Sequence, residues 1–276
     1  MTIVASVALP TGVTLPYAEH GDASGVPIIL LHGPTDSWRS YELVLELLPV
    51  SVHAFALTQR GHGDADRPPG GYRPEDFAAD AAAFMDAVGV DAAVVAGHSG
   101  ASYTAQRFAL AHPDRTLGLV LIGTPYALRD NPALHELLQT ISELTDPIDP
   151  RFVREFVGHL IVQPVPARFL EHNIADSCKT PVRVWQATLQ GLADADAPTK
   201  IGTITAPTLI LWGDHDEICP RADQEALVAA IPTAQLVTYH GTGHSPHWEQ
   251  PERVAADLAA FAQRVHDITP RNEPVA

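Results

Sequence analysis

Cysteine, basic side chains and long apolar runs are all scarce in this sequence, and each scarcity removes a class of function. Only Cys178 and Cys219 occur, with no Cys-x-x-Cys pair and no zinc-like cluster, so neither a disulfide framework nor a metal site is expected. A chain of 276 residues buries about three quarters of its unfolded surface and needs no such staple. Lys and Arg total 17 against 33 Asp and Glu, a formal net charge of −16. That excess repels nucleic acid and anionic lipid and argues against both as partners. It leaves the substrate open, because a pocket can differ in sign from the surface around it. No apolar stretch approaches the ~18 residues of a membrane helix. Residues 1–21 lack a basic n-region and a continuous apolar run, so a cytoplasmic protein without a secretory signal is expected. Gly-x-Gly-x-x-Gly and P-loop patterns are also missing, so no dinucleotide or phosphate cofactor is implied.

What is present is the composition of a globular protein: 46% hydrophobic against 18% charged residues disfavours extended disorder. Residues 3–9 and 13–19 alternate loosely about Thr11-Gly12, a hairpin signal. Pro27-Ile28-Ile29-Leu30-Leu31 is a solid apolar run, as in a strand covered by helices on both faces. His32-Gly33-Pro34 stops it, and residues 38–48 repeat apolar side chains at helical spacing. Strand-like segments then recur at 52–57, 92–96, 117–122, 208–212 and 235–239. Helical patterns lie between or after them at 74–88, 101–111, 221–230 and 251–265. Alternation at this spacing predicts an α/β protein with a mainly parallel eight-stranded sheet flanked by helices. The pattern breaks between Tyr126 and Pro198, where four amphipathic stretches are punctuated by prolines, which helix starts tolerate. They are read as a helical cap over residues 125–198, inserted after the sixth strand, with 1–124 and 199–276 as the core. Residues beyond about 267 are polar and expected to fray.

Val94-Val95-Ala96-Gly97-His98-Ser99-Gly100-Ala101-Ser102 compresses a strand, a sharp turn and a helix into nine residues. A serine on such a strained turn needs small neighbours so that strand and helix can approach; Gly97 and Ala101 supply them. Ser99 is therefore the candidate nucleophile. An oxyanion formed there would meet the Gly100 N–H and the positive end of the following helix.

A serine hydroxyl is a poor nucleophile until an imidazole takes its proton. Among 14 histidines, His244 lies in the Gly-rich segment Gly241-Thr242-Gly243-His244-Ser245-Pro246 between the last strand and last helix. Such a loop can carry the ring across the sheet edge toward Ser99, whereas His247 reads as structural. An imidazole that becomes positive needs a carboxylate on its far side. Gly213-Asp214-His215-Asp216, at the end of the preceding strand, offers two, and either could serve. The chain order Ser, Asp, His matches the order found in hydrolases with a nucleophile elbow.

Over nearly its whole length the chain resembles the α/β-hydrolase fold superfamily. The resemblance is carried by Leu31-His32-Gly33, Arg60-Gly61-His62-Gly63, Gly97-His98-Ser99-Gly100-Ala101, Gly213-Asp214-His215-Asp216 with Pro220, and Gly243-His244 with Glu249 and Pro251. Together these motifs are specific for the fold and weakly specific for substrate. The resemblance implies that the acid is Asp216, leaves Asp214 structural and makes the inserted region a cap over the pocket. It also implies that Arg60 ties loops together, with Asp64, Asp66 and Arg67 as surface partners.

One departure bears on the chemistry. The family's second oxyanion donor is usually the N–H after the His-Gly pair, and here that residue is Pro34, which has none. Losing one such donor costs about 2.7–4 kcal/mol at the transition state. Thr35 could compensate with its N–H or hydroxyl, the enzyme could turn over slowly on Gly100 alone, or the chemistry could be other than ester hydrolysis. Residues 34–38 read as a polar loop at the pocket mouth.

A cap over the nucleophile creates a mainly apolar cavity between two layers. Phe152, Phe156, Leu160, Phe169, Trp185 and Leu189 recur at helical spacing in the cap, and most of such a stripe must pack the cap itself. Pro34, Trp38, Tyr103 and Tyr126, which flank the catalytic loops, are the pocket candidates. The expectation is a serine hydrolase acting on a small, mainly apolar carboxylic ester or related acyl compound, without metal or organic cofactor. The resemblance also admits carbon–carbon bond hydrolases, lactonases, cofactor-free haloperoxidases and perhydrolases. A lyase or a ligand-sensing protein with a slow vestigial triad would use the same pocket. The sequence leaves the oligomeric state open.

Overall fold

The computed structural model describes residues 2–129, 131–195 and 200–268. Strands β1 (Ile3–Ala8) and β2 (Thr14–His20) form the expected hairpin, followed by β3 (Val26–Leu31). The stretch expected to be helical over 38–48 is instead a 3₁₀ turn, Trp38–Tyr41, running into the short α1 (Glu42–Leu45). Its apolar spacing is still used, since Tyr41, Val44, Leu45 and Leu48 are all buried in one core cluster. Ser37 caps the turn by accepting the Arg39 N–H at 3.2 Å, and the chain is then tight enough that the Leu47 N–H reaches the Val44 carbonyl. A regular helix would need the fourth residue back instead.

Next come β4 (Val52–Leu57), α2 (Pro74–Ala87), β5 (Ala93–His98), α3 (Ala101–Ala111) and β6 (Thr116–Ile122). Four inserted helices follow: α4 (Pro132–Ser142), α5 (Pro150–Gly158), α6 (Ala167–Cys178) and α7 (Val182–Ala193). The sheet resumes with β7 (Thr208–Gly213), α8 (Arg221–Ala230), β8 (Ala234–Tyr239), α9 (Pro246–Glu249) and α10 (Pro251–Ile268). Strand order is β1-β2-β4-β3-β5-β6-β7-β8. Pairings β1/β2 and β2/β4 are antiparallel and the others parallel.

Because side chains alternate across a strand, the solid apolar runs feed two cores. Ile29 and Leu31 of β3 and Val95 of β5 join Phe84 and Phe108 from α2 and α3. Ile28, Leu30, Val94 and Ala96 face Leu258 and Phe261 of α10. The inserted helices have a core of their own around Trp185, against which Phe152 and Phe156 pack with centroids 6.0 and 5.3 Å away. The starts of α4 and α5 are set by Pro at the first helical position after a capping side chain, Asn131 accepting the Leu134 N–H and Asp149 the Arg151 N–H, whereas α6 and α7 start directly after Pro166 and Pro181. The expected cap boundary at 198/199 and the expected fraying after 267 fall largely on residues 196–199 and 269–276, outside the described residues. No helix among the described residues is long and apolar enough to cross a membrane.

Candidate active site

Strands β5, β7 and the edge strand β8 run parallel, and the loops that leave them carry the candidate residues toward one another. β5 delivers Ser99 in the left-handed region, φ +54°, a conformation costly for any residue with a side chain. The turn is held by the Ser99 N–H on the Ile122 carbonyl at 2.8 Å and by the Ser102 hydroxyl on the Ser99 carbonyl at 2.5 Å. Gly97 makes it possible, because a Cβ there would lie 2.3 Å from the Ala101 carbonyl oxygen. Gly100 begins the α3 turn against Pro34; a Cβ on Gly100 would sit 2.9 Å from Pro34 Cγ.

The acid and base candidates are joined directly. His244 Nδ1 lies 2.9 Å from Asp216 Oδ2, and both side chains are buried. The other Asp216 oxygen accepts the N–H groups of Ile218 and Cys219, each at 2.9 Å. An oxygen pinned this way fixes the carboxylate plane, which in turn fixes the ring tautomer as Nδ1–H. Asp214 does a different job: it accepts His240 Nδ1 at 2.8 Å and the Gly241 N–H at 2.6 Å. These bonds hold its carboxyl below the usual range and brace the segment that carries His244.

Ser99, Gly100 and His244 line one cavity of about 200 Å³, together with Gly33, Pro34 and Asp36. This is smaller than a pocket for a drug-sized ligand. Leu128, Leu134, Phe156, Leu160, Leu189 and Leu192 form its apolar wall. Apart from the catalytic candidates, its polar side chains are Asp36, His98 and Asn131, with the Cys219 thiol beside them. Burial pushes that thiol well up, so Cys219 stays protonated and is no rival nucleophile. Asp216, Cys219 and His244 each offer one ligand atom within 4.8 Å of the others. This spacing would suit a metal ion, but Asp216 already spends its oxygens on His244 and two backbone N–H groups.

Other expected pocket residues lie elsewhere. Trp38 packs on the core, with the Arg39 guanidinium 4.6 Å over its ring. Tyr103 is buried, and its hydroxyl donates to the Tyr126 carbonyl at 3.0 Å; Tyr126 packs against the sheet core. Thr35 is buried with φ +79° and does not line the cavity, and its hydroxyl has no hydrogen-bond partner among the described residues. The loop expected at the pocket mouth is therefore interior. Thr35, Asp36 and Ser37 are all buried, because Ser37 Oγ is drawn to Asp176 Oδ2 of α6 at 2.7 Å and the inserted helices cover it.

Burial pushes the Asp36 carboxyl up to about 8, opposed only by a hydrogen bond from Ser40. In the sequence Asp36 is only one member of the polar segment 34–38, and its place two residues beyond a donor-less Pro34 is the signal that points to it. Around it stand histidines held neutral by burial. His98 is pushed well below its ordinary value and its Nε2 faces the His244 carbonyl at 3.1 Å, while His247 is pushed down to about 3. Arg60 has the tying role: its guanidinium clamps Asp80 through Nε and Nη2 at 2.6 and 2.5 Å and donates to the Gly71 carbonyl. Asp64 pairs with Lys179, Asp66 accepts the Thr14 N–H, and Arg67 donates to the Gly63 and Lys179 carbonyls. Glu249 links the base-bearing segment to the inserted helices, accepting the N–H groups of Gly243, Val162 and Gln163 at 2.8, 3.0 and 2.6 Å.

Residues 28–257 match the family model described as the alpha/beta hydrolase family. Among curated proteins, a non-heme haloperoxidase of Rhodococcus erythropolis is 28% identical, over 93% of this chain and 98% of its own. The 2-hydroxymuconate semialdehyde hydrolase of Pseudomonas sp. (strain CF600) is 26% identical, over 90% and 88%. Among solved structures, a thermophilic esterase from Thermogutta terrifontis superposes with a TM-score of 0.82 at 26% identity, covering 96% of this chain and 99% of that one.

Proposed function

The chain belongs to the alpha/beta hydrolase family, and from that premise we propose that it is a serine hydrolase of small, mainly apolar carboxylic esters. The observation that carries this reading is the buried Asp216–His244 pair opening onto the same cavity as a serine in the left-handed conformation. His244 Nε2 takes the Ser99 proton as Oγ attacks the ester carbonyl, and Asp216 stabilises the imidazolium that results. The Gly100 N–H, at the positive end of α3, faces the developing oxyanion. His244 returns its proton to the departing alcohol; it then activates water, which releases the acid from the acyl-enzyme. Leucine and phenylalanine walls in a cavity of about 200 Å³ favour short acyl and alcohol groups without charge. The similarity to a thermophilic esterase supports ester substrates.

The test is turnover of a panel of short esters by the wild type and Ser99→Ala, with labelling by a fluorophosphonate. Saturable hydrolysis that falls by about 10⁶-fold in the variant, with label on Ser99 alone, is the expected result. Turnover undiminished in Ser99→Ala, or no label on Ser99, refutes the reading. Ligand binding without turnover assigns the cavity to sensing instead.

A further inference from the structure

Asp36 is 2% exposed, yet it lines the cavity beside Ser99, Gly100 and His244. Its Oδ2 accepts the Ser40 hydroxyl at 3.2 Å. Its Oδ1 has no hydrogen-bond partner among the described residues. Ser40 cannot supply one, because a hydroxyl has one proton and two lone pairs. Its proton goes to Asp36, and one lone pair accepts Trp248 Nε1–H at 3.0 Å. The other meets His247 Nε2 at 3.1 Å. That assignment puts the ring proton of His247 on Nε2 and leaves the imidazole neutral, in keeping with its burial.

Among the described residues no cation pairs with Asp36. Its surroundings are Tyr41 on the same turn, the uncharged His98 and His247, and His244 across the cavity. Arg39, three residues on, pairs with Glu42 and Asp176 instead. An ionised carboxylate here would hold a buried charge with one oxygen unpaired, which is strongly unfavourable. A carboxyl kept neutral can instead donate, and one with no acceptor among the described residues, on a residue that lines the cavity, is available to a ligand there. Pro34, two residues earlier, lies against Gly100, where the family's usual second donor would be.

We propose that the Asp36 carboxylic acid donates a hydrogen bond from Oδ1 to the carbonyl oxygen of the substrate, in place of the N–H that Pro34 lacks. The inference rests on the serine-hydrolase reading. The proton remains on Asp36 throughout: the carbonyl oxygen gains charge as Ser99 attacks and loses it as the alcohol leaves, held by Oδ1–H and the Gly100 N–H. No bond to Asp36 forms or breaks.

The experiment follows kcat and kcat/KM for phenyl acetate between pH 6 and 9.5 in the wild type, Asp36→Asn, Asp36→Ala and Ser99→Ala. Asp36→Ala is expected to lose about 10²–10³ in kcat, as for removal of one oxyanion donor. Asp36→Asn keeps an N–H in the same place and should stay within about tenfold, or 1.4 kcal/mol. Wild-type kcat/KM should fall above about pH 8 as the donor ionises, and Asp36→Asn should lack that fall. Wild-type kcat in Asp36→Ala, or the same alkaline fall in Asp36→Asn, overturns the proposal. Should Asp36→Ala fail to fold, the pH profile of Asp36→Asn decides alone. Loss of turnover in Ser99→Ala alongside either overturning result removes Asp36 only, whereas turnover surviving in Ser99→Ala removes the serine-hydrolase reading itself.

Discussion

On the His244 side of the cavity the hydrogen bonds of the two carboxylates close on themselves, while Ser245 Oγ and His247 Nδ1 are left without partners among the described residues. Both Asp216 oxygens are occupied, His244 Nδ1 is engaged, and Glu249 gathers three backbone N–H groups. On the Pro34 side they do not: Thr35 Oγ1 and Asp36 Oδ1 are buried without partners among the described residues, and Thr35 is held at positive φ. The two sides share one cavity and comparable burial, so solvent access does not explain the difference. Matched carboxylates fix geometry before anything binds, whereas an unmatched carboxyl on a residue that lines the cavity, as Asp36 does, is left for a ligand to meet.

The contrast can be broken most forcefully on its matched side. Asp216→Asn should lower kcat by about 10⁴-fold at pH 7, because an amide there favours the wrong ring tautomer. A loss under tenfold would mean that the pairing is merely structural. A smaller effect is expected on the unmatched side. Pro34→Gly restores an N–H beside Gly100, and kcat should rise by less than about tenfold, ~1.4 kcal/mol, where Asp36 is intact. In Asp36→Ala the same change should give a larger gain, and equal gains in the two backgrounds would show that the two positions act independently.

The smallest effects are on stability, and their signs oppose each other. His32, His62, His98 and His247 are buried and neutral, with His62 pushed down to about 4 and His247 to about 3. The unfolded chain binds protons there from about pH 6.5 while the folded chain does not. Stability is thus present above pH 6.5 and declines toward pH 4. Asp36 acts the other way: raised from 3.8 to about 8, it keeps a proton that the unfolded chain loses. Its contribution therefore declines as pH rises from about 4 to about 8. Thermal melts should show Asp36→Asn gaining on the wild type between pH 5 and pH 8; a constant Tm difference would mean that Asp36 is ionised throughout.

Much of the architecture could be read from the residues because it depends on local pattern. The unbroken apolar runs of β3 and β5, and prolines 150 and 251 at helix starts, state their own surroundings. Positions 97 to 101 were legible for the same reason, since a turn that sharp admits few side chains. The cavity wall was not. Trp38, Tyr103 and Tyr126 were nominated by nearness in the chain to catalytic loops, but each points into packing. Leu128, Leu134 and Leu192 reach the cavity from the inserted helices and their connections. Their direction depends on how those helices sit on the sheet, which a single chain's periodicity does not encode. Asp36 was hidden for a related reason: a polar loop next to proline reads as solvated until α6, through Asp176, closes over it.

Glu249 has a mechanical consequence. Its carboxylate grips Val162 and Gln163 between α5 and α6 and Gly243 beside the base, and Ser245 N–H adds a bond to the Leu160 carbonyl. Raising the helical roof as one piece would pull the imidazole out of register and break bonds worth about 1 kcal/mol each. The roof is riveted to the machinery it shelters. Traffic in and out is then left to side-chain movement in the cavity wall, which sorts molecules by girth before any chemistry begins.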